Sequence, residues 1–180
     1  MTSLIRPPPR EGQAARRAPN RPAGRFYDAD GSDDGLEWIK LYNDCPTDAQ
    51  LSTMSLGWGG SSYRAGRLQL QGTVAAGECF LVGGPVTDAV NGGPLLDDAV
   101  DLQPDLQNSG ADADGIEEGT LPLDAVIYGT ANTNGLLDPT GDAPAPHVGD
   151  AKAGESLQRV AADAWTIGAP APSDCPSFGG

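Results

Sequence analysis

Lysine is almost missing from this 180-residue chain: it occurs at Lys40 and Lys152 only. Histidine occurs once, at His147, and aromatic residues make up 6% of the total. Each shortage closes a route to function. A His-based metal centre needs more than one imidazole as a rule, so that chemistry lacks its ligands. A Ser–His–Asp or Cys–His nucleophile would have to use His147, which sits in the loop-like "APAPHVGD". No G-x-S-x-G frames any serine. Phosphate loops are wanting too: "GWGGSS" lacks the last glycine of G-x-G-x-x-G, and no G-K-[ST] occurs. No run of about 18 apolar residues is present, so no segment reads as a membrane-spanning helix.

Positive charge is scarce where it would matter most. Residues 26–180 hold five basic residues against 24 acidic ones, a net −19, while residues 1–25 hold six arginines against one glutamate, a net +5. The whole chain carries −14. Binding nucleic acid by counterion release needs several Lys or Arg on one surface, which the acidic body cannot supply. Only the stretch "MTSLIRPPPREGQAARRAPNRPAGR" is basic. It has no apolar period and too few large apolar groups to offset the entropy of ordering it. It also lacks the apolar core of a secretory signal. Residues 1–25 are therefore expected to be a disordered Arg/Pro-rich extension, native or the product of a start codon set too far upstream. The expected domain runs over residues 26–174, with a short tail at 175–180.

What the chain has in quantity is punctuation: 25 glycines and 16 prolines. These leave little room for long helices. Between them lie short strand-like runs. "EWIKLYN" places Glu37, Ile39, Leu41 and Asn43 on one face, and Trp38, Lys40 and Tyr42 on the other. "NDCPTD" then turns. "AQLSTMSLGW" and "YRAGRLQLQGTV" read as strands, and Glu78–Val82 as a strong one. Residues 83–114 carry weaker signals: Asn91-Gly92 marks a tight turn, and "DLQPDLQNSGADADG" reads as an ordered loop anchored by Leu102 and Leu106. "LPLDAVIYG" is a strand and residues 138–154 a loop; "ESLQRVAADAW" reads as a last strand, Leu157–Val160, in preference to a single helical turn. The pattern predicts an all-β sandwich or barrel.

Five pieces in order, "DGSDDGLEWIKLYN", "LSTMSLGWGG", "LQGTVAAGECFLVGG", "LDAVIYG" and "GESLQRVAADAW", together resemble the lamin-tail domain in its bacterial form. The match runs from about Tyr27 to Asp174. The resemblance implies an immunoglobulin-like β-sandwich that binds or tethers rather than catalyses. Bacterial relatives look exported, in extracellular or envelope proteins and sometimes beside hydrolases; animal relatives at the nuclear lamina bind proteins and DNA. Fold alone does not choose among these. Two departures stand out. The family opens on an apolar "INEV"-type strand, where this chain has "RPAGRFYD". Either Arg25–Asp28 forms a short residual strand or the first strand is absent. Lys40 also stands where the family tends to have Glu.

Four groups of residues are candidates for chemistry. The acidic turn "DADGSDDG" offers Asp28, Asp30 and Asp34, and "ADADG" offers Asp112 and Asp114, as oxygen ligands for calcium. Asp30-x-Ser32-x-Asp34-Gly35 copies the first half of an EF-hand loop. The twelfth position is Leu41 counted from Asp30, or Ile39 counted from Asp28, so the second half fails. The plainer reading is a solvated turn launching a strand. Glu37, on the Ile39/Leu41 side, needs a partner if buried, and Arg159 is a candidate. Trp58 and Tyr63, with Trp38 and Tyr42, are either a platform for glycan or peptide or ordinary packing. Cys45, Cys79 and Cys175 are an odd set. A bridge from Cys175 would pin the tail; Cys79–Cys175 is the first pairing expected and Cys45–Cys79 the second. The function expected is a non-catalytic adhesive or scaffolding module of the envelope or extracellular space, with a protein or cell-surface glycan as partner. The alternative is a calcium-stabilised accessory domain that positions a separate hydrolase or nuclease.

Overall fold

Trp38–Tyr42 (β2) is buried along its whole length, although its two faces differ in chemistry. Ile39 and Leu41 point into the main core, while Trp38, Lys40 and Tyr42 point the other way. Both faces are covered, which is why a strand with a lysine in its middle still reads as interior. The computed structural model describes residues 20–108, 111–118, 121–138, 141 and 144–177, with backbone alone for 111–118 and 121. Among these residues the chain is all-β and contains no α-helix and no closed barrel.

Around β2 a mixed six-stranded sheet is built. Arg21–Phe26 (β1) pairs antiparallel to it on one side and Cys79–Gly83 (β7) on the other. Beyond β1 lie Ser156–Ala161 (β11) and then Ala164–Gly168 (β12); beyond β7 lies the two-residue Asp98–Ala99 (β8), in parallel. A second sheet takes the order Leu121–Gly129 (β10), Ala111–Glu118 (β9), Ser55–Trp58 (β4) and Gly66–Gln69 (β5). Ala49–Gln50 (β3) and Thr73–Val74 (β6) make a small third ladder. The main core gathers Ile39, Leu41, Phe80, Val82 and Leu157 from the first sheet with Leu56, Trp58 and Tyr128 from the second, so it lies between them.

Several sequence expectations need correcting. The first strand is neither absent nor confined to Arg25–Asp28: β1 begins at Arg21 and sits in the middle of the largest sheet. The folded domain therefore starts before residue 26. Its residues look unsuited to a central strand, but each is accommodated. The β1–β2 register shifts between Pro22 and Gly24, the kind of irregularity at which a strand tolerates proline. Gly24 leaves room for its neighbours, since an added Cβ would lie 2.9 Å from Gln158 Oε1 and 3.3 Å from Lys40 Cε. Arg25 is wholly buried, with its guanidinium 4.9 Å from the centre of the Tyr128 ring and 5.0 Å from that of Trp165. Residues 1–19, the rest of the expected extension, lie outside the described residues, as do 178–180 of the tail.

The run read as one strand at "AQLSTMSLGW" is broken by a 3₁₀ turn at Leu51–Thr53 into β3 and β4. Residues 111–114, read as loop, belong to the eight-residue β9. The last strand is a hairpin, β11 and β12, rather than a single element.

Candidate functional site

Lys40 organises the outer face of the six-stranded sheet. Its ammonium is buried and donates to Gln158 Oε1 at 2.9 Å and to the backbone carbonyls of Ala171 at 2.7 Å and Asp174 at 2.6 Å. These three acceptors are neutral, and burial pulls the amine down to about 8 from its usual 10.5, with the charge of Asp174 acting weakly the other way. The bonds to Ala171 and Asp174 draw the chain after β12 back across β1 and β2. One residue later Cys175 forms a disulfide with Cys79, the first residue of β7. Of the two pairings left open by the sequence, the structure has this one; Cys45 takes no part in a disulfide. A second strap, residues 84–97, covers Trp38, whose Nε1–H donates to the Asn91 carbonyl at 3.0 Å. Asn91 in turn donates to the carbonyls of Leu36 and Val86.

Glu37, just before β2, is buried on the core side. Its Oε2 accepts from the Leu106 N–H at 3.0 Å, while Oε1 has no hydrogen-bond partner. Burial pushes the carboxyl up to about 9; the Leu106 bond opposes this and the nearby Asp105, Asp33 and Asp101 add to it. Glu37 is therefore protonated at neutral pH. Its expected partner Arg159 is engaged elsewhere: Arg159 Nη1 donates to Asp124 at 2.9 Å and to the Pro22 carbonyl at 3.1 Å. Glu37 acts as an anchor for the loop 101–108, to which the acidic turn is also tied by an Asn108–Asp33 hydrogen bond.

A groove of about 420 Å³ lies between β6 and the β7–β8 edge. Its lining includes Thr73, Val74, Glu78, Cys79, Phe80, Asp97 and Asp98 and, among the described residues, no basic one. Its origin lies in strand lengths. β8 is two residues long and pairs with Val82 and Gly83 only. The turn before β8 extends the ladder one step, since Asp97 N–H donates to the Leu81 carbonyl and the Leu81 N–H donates to the Asp97 carboxylate. Further back along β7 the partner ends. Leu81 and Gly83 aim their backbone groups at β8, so alternation aims those of Cys79 the same way, into the groove. Among the described residues no strand pairs with that end of β7 on that side.

Other expected site residues lie elsewhere. Trp58 and Tyr63 do not form a surface platform: they are 3% and 8% exposed. Trp58 Nε1–H donates to the Pro104 carbonyl at 2.6 Å, and its indole lies so close over Gly66 that an added Cβ would come within 2.0 Å of the ring. The Tyr63 hydroxyl donates to the Leu137 carbonyl. Trp38 and Tyr42 are buried as well. In the acidic turn Asp30 and Asp34 are exposed and Asp28 is half-buried. Burial and the charges of Asp33, Asp150 and Asp30 raise the Asp28 carboxyl above its usual range. Asp112 and Asp114 fall in β9, opposite Tyr128 and Val126, and their side chains lie outside the described residues. Among the described residues no group of three or more His, Cys, Asp or Glu is placed to hold a metal ion. His147 is exposed, and its Nε2 faces the Gly129 carbonyl at 2.8 Å, beside a notch of about 170 Å³ with Arg159, Asp163 and Trp165.

The groove is the feature that sequence reading missed. Asp97 and Asp98 sit in a stretch of weak strand signal, and nothing in their spacing marks them as the site of a short strand. No family model, curated protein or solved structure matches the chain.

Proposed function

We propose that this chain is a non-catalytic binding or tethering module, an immunoglobulin-like sandwich of lamin-tail type that works in the cell envelope or outside the cell. The observation that carries this reading is the groove beside β7, where a sheet stops short and leaves backbone groups facing an open slot. Such an edge suits recognition by strand addition, in which main-chain hydrogen bonds supply affinity. The Cys79–Cys175 bond supports an oxidising compartment, where structural disulfides persist. The polar groups expected of an active site are instead engaged in holding the fold: Lys40 and Glu37 are interior anchors, and His147 contacts backbone.

The test is retention of the purified chain on envelope material separated into surface-protein and glycan fractions. Saturable retention by one fraction, unchanged by His147→Ala and Glu37→Gln, is the expected result. No retention by any fraction would remove the reading.

A further inference from the structure

We infer that the groove between β6 and β7 accepts an extended segment of a partner protein carrying lysine or arginine, added as a short continuation of the β8 position. This rests on the binding-module reading above and names its partner class. Two observations converge on it. The first is geometric: β8 occupies the slot beside Val82 and Gly83, and the same slot beside Cys79 and Phe80 is open. A segment lying there would bond to the backbone of Cys79 and pack over Phe80, with Thr73 and Val74 of β6 as the opposite wall. The second is charge. Glu78, Asp97 and Asp98 line the groove, and among the described residues no lysine or arginine does.

The three carboxylates do not have equal roles. Asp97 already accepts the Leu81 N–H at 2.8 Å and so fixes the end of β8. Glu78 is exposed and Asp98 half-buried, which leaves these two to meet a cationic side chain. In an extended segment alternate side chains point to opposite faces. The face that turns to Phe80 is also that of Glu78 and, through its pairing with Val82, of Asp98, so a lysine or arginine on that side would lay its aliphatic stem over Phe80 and Val74 and reach the carboxylates with its cationic end. The disulfide stands at the mouth, because Cys79 belongs both to the groove and to the bond that pins the tail.

The experiment is a titration of the full isotope-labelled chain with the acetylated, amidated peptide Val-Arg-Val-Arg-Val, followed by backbone amide shifts. Shifts confined to residues 71–80 and 97–98 are expected. The double variant Glu78→Lys/Asp98→Lys, one position exposed and the other half-buried, should weaken binding by about tenfold or more, as loss and reversal of complementary charge does. N-methylation of alternate peptide amides, which removes backbone donors without changing charge, should abolish it. Three results would overturn the inference. One is no binding by the peptide. Another is binding that spreads over the acidic surface and ignores both changes. The third is movement of the same signals when Arg6, Arg10, Arg16 and Arg17 are replaced by Gln with no peptide present, which would make the chain's own basic segment the occupant. Envelope retention that persists while the peptide fails overturns the groove assignment alone; loss of both overturns the binding-module reading too.

Discussion

The Lys40 ammonium donates to the carbonyl of Asp174 at 2.6 Å, and the next residue along, Cys175, is bonded to Cys79. A buried cation and a covalent bond therefore secure the same stretch of chain from two strands of one sheet.

Removing either fastening should cost stability, and removing both should cost less than the sum. The disulfide spans 96 residues of sequence. Closing a loop of that size is worth about 4–5 kcal/mol in the chain-entropy model. Lys40→Met takes their shared donor from three partly buried acceptors, an expected loss of about 2 kcal/mol. In Lys40→Met/Cys175→Ser the second change acts on a tail already released, so the loss in the double variant minus the sum of the single losses should be negative and measurable. Urea denaturation of the four proteins provides the cycle.

Stability should fall as pH rises from about 5 to 8. Glu37 holds its proton up to about 9 in the folded chain against 4.5 when free, so over this window the folded state binds more protons than the unfolded one. Its contribution is fully present below 4.5 and is lost towards 9 at about 1.4 kcal/mol per pH unit. Lys40 has the opposite sign in a later window. Its folded value of about 8 lies below 10.5, so the unfolded state binds more protons between the two and stability gains with pH there. From about 8 to 9 the two oppose each other and the curve should flatten. Glu37→Gln keeps an acceptor for the Leu106 N–H and removes the titration. It should be more stable than the parent at pH 8 and should erase the slope from 5 to 8 while leaving the rise above 9. Denaturation in urea across this pH range, with chelator present, measures both effects.

Trp58 should behave as a core residue. Trp58→Ala is expected to cost about 3–5 kcal/mol, the usual range for emptying a buried aromatic site. A surface platform residue would cost little on the same denaturation assay.

Calcium should leave the thermal midpoint unchanged relative to excess EDTA, and Asp30→Ala/Asp34→Ala should change stability by less than about 0.5 kcal/mol. A calcium-dependent shift lost in that variant would show that the turn is a ligand after all.

The sequence patterns that proved legible are those in which side-chain chemistry and strand period agree. β2, β7 and β10 all carry β-forming residues bounded by turn signals, and each was recognisable. The Cys79–Cys175 pairing could be ranked because a tail otherwise unanchored needs a bond to hold it. β1 was hidden because its fitness depends on partners far along the chain: Gly24 is spacious only beside Gln158 and Lys40, and Arg25 is soluble in the core only between Tyr128 and Trp165. β9 was hidden by composition, since "ADADGIEE" reads as a polar loop until β4 and β10 pair with it on both sides. Glu37 needs a partner once buried, and the sequence offers Arg159 for it; instead Glu37 meets the Leu106 N–H and Arg159 pairs with Asp124. Their partners were mistaken because an alternation pattern identifies a face but not the loop or strand that covers it.

The position of β1 also bears on how the protein is made. Its two neighbours are β2, which follows at once, and β11, whose Gln158 stands opposite Gly24 about 130 residues later. During synthesis or export one edge of β1 stays bare until nearly the whole chain has emerged. Contacts that distant make for slow closure. They also make it a test of completeness: a molecule cut short before Ser156 keeps an unpaired strand in what should be the middle of its sheet, open to chaperones, proteases and other copies of itself.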